Sequence, residues 1–268
     1  MSFMALMQAA GAVWFLLLLD DARPITYSVR RLARVSAMIA LPLILLHHVM
    51  EAGRMAGEWS GVFDVSLQSL VLTTTTAWAN GLRFVGSLLI ALSIRMSNKV
   101  VVIIGALLIA ISFTVTGHIS IHPQQWWLTI FLFVHVTVAA FWFGSLLPLL
   151  VACRQAPQAA ALMVIRFSAW ASWLVPLLAL LGVGMACALL PDINALSTPY
   201  GVLLLSKVVG FSLLMALAAL NKWRLGPALV NGGGAVRAFR ISVWCEYALL
   251  CVIFIATAVM TGLFSPEA

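Results

Sequence analysis

Apolar runs of nearly 20 residues recur along the whole of this chain. That is the length an α-helix needs to cross the ~30 Å hydrocarbon core of a bilayer. The composition agrees: 63% of the residues are hydrophobic and only 9% are charged, whereas a soluble domain carries about 25% charge. No stretch is left over for a soluble unit, so residues 1–268 read as a single integral membrane domain. The first run, Phe3 to Leu19, has the length of a signal-peptide core. It lacks a basic leader, and Asp20 and Asp21 follow where small residues would mark cleavage. It is expected to be a retained helix.

Eight spans are predicted: Phe3–Leu19, Val35–Met50, Ala77–Ile94, Val100–Thr116, Trp126–Val151, Phe167–Leu190, Val202–Leu220 and Ile241–Leu263. The fold class is therefore all-α, a polytopic membrane helix bundle with about eight transmembrane helices. Glu58 to Thr76 mixes charged and apolar residues and fits a helix lying on the membrane surface. Asn231 to Gly234 reads as a flexible loop.

Lys and Arg set the orientation. Arg23, Arg30, Arg31, Arg34, Arg95, Lys99, Arg154, Arg166, Lys222, Arg224, Arg237 and Arg240 all fall in alternate loops on one side. The opposite loops hold Arg54 with Glu51, Glu58, Asp64, Asp192 and Glu267. The positive-inside rule makes the basic side cytoplasmic and puts both termini outside. The net charge of +7 is thus a topology signal, and no nucleic-acid partner is implied. Trp59, Trp78, Trp126 and Trp127 fit an outer aromatic belt. The four cysteines form no CxxC pair, which argues against a disulfide framework or a thiolate metal site.

On this map all five histidines lie in the outer half. His47 and His48 end span two, His118 ends span four, and His122 sits in the short outer loop. His135 lies inside span five, about nine residues below Trp126, or ~13 Å at 1.5 Å per residue. An ionisable group inside a span points to function. Imidazole suits copper and zinc, and thioether sulfur favours Cu(I). Met4, Met7, Met50, Met55, Met185 and Met260 share the outer half. Ligands of one ion lie only about 4 Å apart, given metal–nitrogen bonds near ~2 Å. His118 and His135 are therefore expected to be successive stops rather than ligands of one ion. His47 and Glu51, spaced i,i+4, are expected to share a face.

Three further charges lie within spans. Lys207 and Glu246 are expected to line a polar path or fix the structure. Their depths differ by roughly 10 Å, which disfavours a direct salt bridge. Arg83 is expected to reach for the nearer membrane surface. Trp142, seven residues after His135 and on the same helical face, is a candidate wall of a site.

The ordered set Thr116-Gly-His118, His135, Phe141-Trp-Phe-Gly144, Arg166-Phe-Ser168, Thr198-Pro-Tyr-Gly201, Leu203-Leu-Leu-Ser-Lys207, Asn221-Lys-Trp-Arg-Leu225 and Glu246 resembles the copper resistance protein D (CopD) family of bacterial inner-membrane proteins. The likeness covers roughly residues 113 to 263. Residues 1 to 112 match only in hydropathy and loop pattern and are taken as N-terminal helices of the same bundle. One departure is Ser145 after Gly144, where the family usually has a second glycine. The resemblance implies copper handling at a bacterial inner membrane and a periplasmic copper-binding partner of the CopC type. It also implies that His118, His135, Lys207 and Glu246 occupy shared motif positions.

The leading expectation is a multi-pass protein that imports Cu(I) or Cu(II) from the periplasm through His118, His135, His47, His48 and His122. It is not expected to be an enzyme: the sequence has no P-loop, no CPC-like motif in a span and no soluble ATPase domain. One alternative is an oxidoreductase holding b-type haem between axial histidines on facing spans. Another is a non-transporting membrane dock for a periplasmic copper chaperone.

Overall fold

The computed structural model describes residues 2–93, 98–117, 125–190 and 192–264. Every regular element among them is helical: α1 (Ser2–Leu18), α2 (Thr26–Ala56), α3 (Val65–Val71), α4 (Thr75–Leu92), α5 (Lys99–Ser112), α6 (Gln125–Gln155), α7 (Pro157–Leu189), α8 (Pro199–Leu220), the single turn α9 (Gly226–Ala228) and α10 (Gly233–Leu263), with short 3-10 and π turns between them. Each predicted span coincides with one long helix. Five helical segments, at Ala22–Ala56, Trp126–Gln155, Pro157–Leu189, Pro199–Ala228 and Gly233–Leu263, are long and apolar enough to cross a membrane. At 17 and 14 residues, α1 and α5 are shorter, and α4 carries Asn80 and Arg83. Several helices outrun their predicted spans. Hydropathy marks only the greasy middle of a helix, whereas α2 runs on through its arginines to Ala56, where Gly57 takes the left-handed cap at φ +74°.

Helix α1 sits against α2, α5 and α6, and its stretch from Leu6 to Val13 is buried throughout. Its small residues permit this. Gly11 packs on Gly144 of α6 so closely that a Cβ on Gly11 would stand 1.8 Å from the Ala140 carbonyl oxygen. Gly86 of α4 and Gly105 of α5 meet in the same way, each Cβ position falling within 2.8 Å of the other's carbonyl oxygen. With no water to expel between helices in lipid, such backbone approach is what drives packing. One apolar core runs through both halves, from Phe15 and Val29 to Phe143, Phe239 and Val243.

Pro148 lies inside α6 and has no N–H to give to the carbonyl four residues back, that of Gly144. Gln8 of α1 supplies the missing donor: its Nε2 reaches the Gly144 oxygen at 3.1 Å. In a membrane an orphaned carbonyl costs several kcal/mol, roughly, so this bond accounts for the single amide in an otherwise apolar helix.

Three loop readings change. The segment from Glu58 to Thr76 is a 3-10 turn (Trp59–Phe63) followed by the two-turn α3, not one continuous helix. Asp64 ends the turn and caps α3 by accepting from the Ser66 and Leu67 backbone N–H groups. Span four stops at Ser112 rather than Thr116, where the Ser112 and Thr114 hydroxyls bond back to the carbonyls of Ile109 and Ile111 and compete with the helix. The predicted loop from Asn231 to Gly234 is cut short by the start of a helix. Gly232 and Gly233 have φ of +68° and +52°, and α10 starts at Gly233. Trp59, Trp78 and Trp126 are exposed as a belt requires, while Trp127 packs edge-on against Phe131.

Candidate functional site

The polar side chains inside the bundle fall into two groups. The first lies where α6 faces α7, α8 and α10. His135 is half-buried, its ring over Gly182 of α7 and its Nδ1 3.2 Å from the Leu178 carbonyl oxygen. A carbonyl only accepts, so Nδ1 carries the proton and Nε2 is left with a free lone pair. A backbone carbonyl fixing one imidazole nitrogen so that the other can bind is the usual support of a histidine ligand. The Lys207 ammonium of α8 lies within electrostatic reach of this ring.

Two turns further along α6, Trp142 is buried and stands edge-on to Phe211 of α8, with ring centroids 6.3 Å apart. Phe211 is one turn beyond Lys207. The Trp142–Phe211 ring pair is where α6 and α8 meet, with His135 and Lys207 further toward the N-terminal ends of the two helices. Below them Glu246 of α10 is only 2% exposed. It accepts one hydrogen bond from Asn221 Nδ2 at 2.6 Å and another from the Trp142 side chain. Among the described residues the only ion pair joins Glu51 and Arg54, so this buried carboxylate is held by neutral donors. Asn221 opens a π-helical turn, Asn221–Leu225, a distortion frequent at functional positions. Lys222, in that turn, donates to the Ser172 hydroxyl of α7 at 2.6 Å. The result is a polar column: His135 and Lys207 above, Trp142 between, Glu246 and Asn221 below.

The second group lies between α2, α4 and α5. His47 is exposed and within electrostatic reach of Arg83, Glu51 and Arg54. The buried Glu51 pairs with Arg54 at 2.8 Å. His48 Nδ1 is buried without a hydrogen-bond partner among the described residues. Arg83 turns inward rather than to the membrane surface. It donates to Ser112 at 3.2 Å and Asn80 at 3.1 Å and lies 4.8 Å from the Phe113 ring centre. The partners were within reach, one turn away and on the next helix, and desolvated stacking on a ring favours the guanidinium.

His118 and His122 lie outside the described residues. Of the remaining candidates, the structure joins Trp142 to Glu246 and leaves Lys207 within electrostatic reach of His135. It places His47 and His48 in the other group, and Lys207 does not pair with Glu246. Among the described residues no three His, Cys, Asp or Glu side chains converge as a metal site. Neither α7 nor α8, which flank His135, carries a histidine, so these helices offer no second axial ligand for haem. Sequence reasoning missed Asn221 and Gln8 as partners. For Gln8 the signal was available, since a lone amide in an apolar span next to a span containing proline needs a carbonyl to serve.

Long apolar helices enclosing a few partnered polar side chains define a multi-pass membrane protein. Two family models match the chain. The model for copper resistance protein D covers residues 161–260, and that for the copper resistance protein D-like N-terminal domain covers residues 1–124. The chain belongs to the copper resistance protein D family. The N-terminal match extends the likeness into the half where the sequence had offered only hydropathy. No curated protein and no solved structure gives a significant match.

Proposed function

We propose that this protein is a copper permease of the bacterial inner membrane, importing copper ions from the periplasm along the column between α6 and α8. In this reading all eight long helices cross the bilayer, with the shorter α1, α4 and α5 helped by their flanking loops. Both termini are periplasmic, as the twelve basic residues of the alternate loops require. A CopC-type protein delivers the ion at the outer mouth, where His118 and His122 receive it. His47 and His48 lie at the same outer level as secondary ligands. No catalysed reaction is invoked, and copper is the cargo.

The observation that carries the proposal is the placement of His135. Its Nδ1 is anchored on Leu178, so Nε2 is held ready as a ligand in mid-bundle, and Glu246 lies below it as the next anionic group. The Lys207 ammonium opposes any cation at Nε2. Like charges in a desolvated interior repel far more strongly than in water. In this reading the Lys207 charge restrains copper at His135 and acts as an electrostatic gate. The ion then passes Trp142 and Phe211 to the Glu246 carboxylate, whose charge offsets its own.

The test is equilibrium copper binding by the purified protein. The wild type is expected to bind about one ion per chain, as for a site with one dominant ligand set, and His135→Ala and His118→Ala to bind more weakly. Unchanged affinity in both variants would remove the ligand assignment.

A further inference from the structure

On the outer surface of α2, two grooves follow one another along a single face. The first, about 520 Å³, is lined by Arg23, Thr26, Tyr27, Arg30, Arg31 and Arg34. The second, about 440 Å³, is lined by Val35, Met38, Ile39, Pro42 and Leu43. From Tyr27 to Pro42 the lining positions recur at helical three- and four-residue intervals, so the grooves form one continuous stripe. All four guanidiniums are exposed, and none has a hydrogen bond or ion pair among the described residues. Asp20 and Asp21 precede them in the sequence, leaving an excess of two positive charges. Tyr27 is 78% exposed, an aromatic ring with a polar tip of the kind that settles at the headgroup level. Beyond Arg34 the stripe is wholly apolar, with Val35, Met38 and Ile39 all exposed. Arg30 to Leu43 spans roughly 20 Å at 1.5 Å per residue, compared with about 15 Å for one leaflet of the hydrocarbon core.

We propose that this stripe is a binding site for one anionic phospholipid. Its phosphate sits among Arg23, Arg30, Arg31 and Arg34, and one acyl chain lies in the groove from Val35 to Leu43. Charge selects the headgroup. Basic residues near an anionic lipid surface are attracted to it, and guanidinium forks match phosphate oxygens. The proline gives the chain its place: Pro42 has no side-chain branch to fill the space beside Met38 and Ile39, and it interrupts the regular ridge of the helix. The site is separate from the copper column: α2 packs mainly on α1 and α4, and Ser28 reaches α6 only at Gln155, at the end of that helix away from His135. It therefore stands or falls independently of the transport reading.

The experiment is native mass spectrometry of the full chain, released from detergent after incubation with dioleoyl phosphatidylglycerol or dioleoyl phosphatidylcholine. The wild type should retain one phosphatidylglycerol, and Arg30→Gln/Arg31→Gln/Arg34→Gln should retain it at least about tenfold less. Arg224→Gln/Arg237→Gln, which removes two exposed charges elsewhere, should behave as wild type. Arg31→Gln alone should give an intermediate loss and serves if the triple variant does not fold. Inorganic phosphate should not compete, and dihexanoyl phosphatidylglycerol should bind more weakly than the dioleoyl lipid. Equal retention by the triple and control variants would overturn the proposal. So would equal retention of the zwitterionic lipid, displacement by phosphate alone (a free-anion site), or a changed oligomeric state with lipid retention unaltered (a contact between copies).

Discussion

Asn221 and Glu246 meet at 2.6 Å in the middle of the bundle, 25 residues apart in sequence. The carboxylate enters from α10 and the amide from the π turn that ends α8. Trp142 adds a second donor from α6, so three helices converge on one buried acid. Glu246→Ala should leave both donors unsatisfied and lower stability by about 1–3 kcal/mol for each. Glu246→Gln keeps the shape and one acceptor oxygen, and should be milder. Thermal unfolding midpoints in detergent should fall in the order wild type, Gln, Ala. A Gln variant less stable than the Ala variant would contradict this geometry.

Gln8 and Pro148 form a compensating pair. Gln8→Leu should orphan the Gly144 carbonyl and destabilise by about 1–3 kcal/mol. Pro148→Ala restores a backbone N–H to that carbonyl, so the double variant should recover much of the loss. A double-mutant cycle reads the coupling directly. Strict additivity of the two changes would mean that the Gln8 bond does not serve the carbonyl freed by Pro148.

The glycines separate cleanly by surroundings. Gly11→Ala or Gly144→Ala places a methyl against backbone atoms of the facing helix and should destabilise by about 3 kcal/mol, at the upper end of ordinary overpacking. Gly81 of α4 has nothing within 4 Å of its Cβ position, and Gly81→Ala should be neutral or gain up to about 1 kcal/mol from helix propensity. Guanidinium or heat titrations of all three variants measure the contrast.

Much of this architecture was legible in the sequence. Hydropathy located every long helix because membrane crossing demands a minimum apolar length, and the alternation of arginines ordered the loops. Helix packing was not legible. That α1 is enclosed by its neighbours follows from which glycines face which, and glycine placement has no one-dimensional signature. The site was half visible. His135, Lys207, Trp142 and Glu246 stood out as polar or bulky residues within spans, but their pairing depends on the rotation of α8 and α10 about their axes. Asn221 passed as a loop residue because it lies where the hydropathy fades. Arg83 misled because a lone cation near a span end usually reaches outward, and its partners Asn80 and Ser112 are uncharged.

Lys207, as a gate, should restrain copper at His135. Lys207→Met removes the opposing charge while keeping the length of the side chain. Copper affinity should rise by roughly tenfold or more, since each 1.4 kcal/mol is a factor of ten, and the gain should vanish in the His135→Ala background. An equal gain in both backgrounds would place the effect of Lys207 elsewhere.

Copper uptake into liposomes containing the purified protein tests the column most directly, with no nucleotide and no partner protein present. Wild-type protein should carry copper inward down its gradient, and His135→Ala, incorporated to the same density and orientation, should fall to the level of protein-free vesicles. Uptake by His135→Ala at the wild-type rate would show that copper does not pass through the site between α6 and α8.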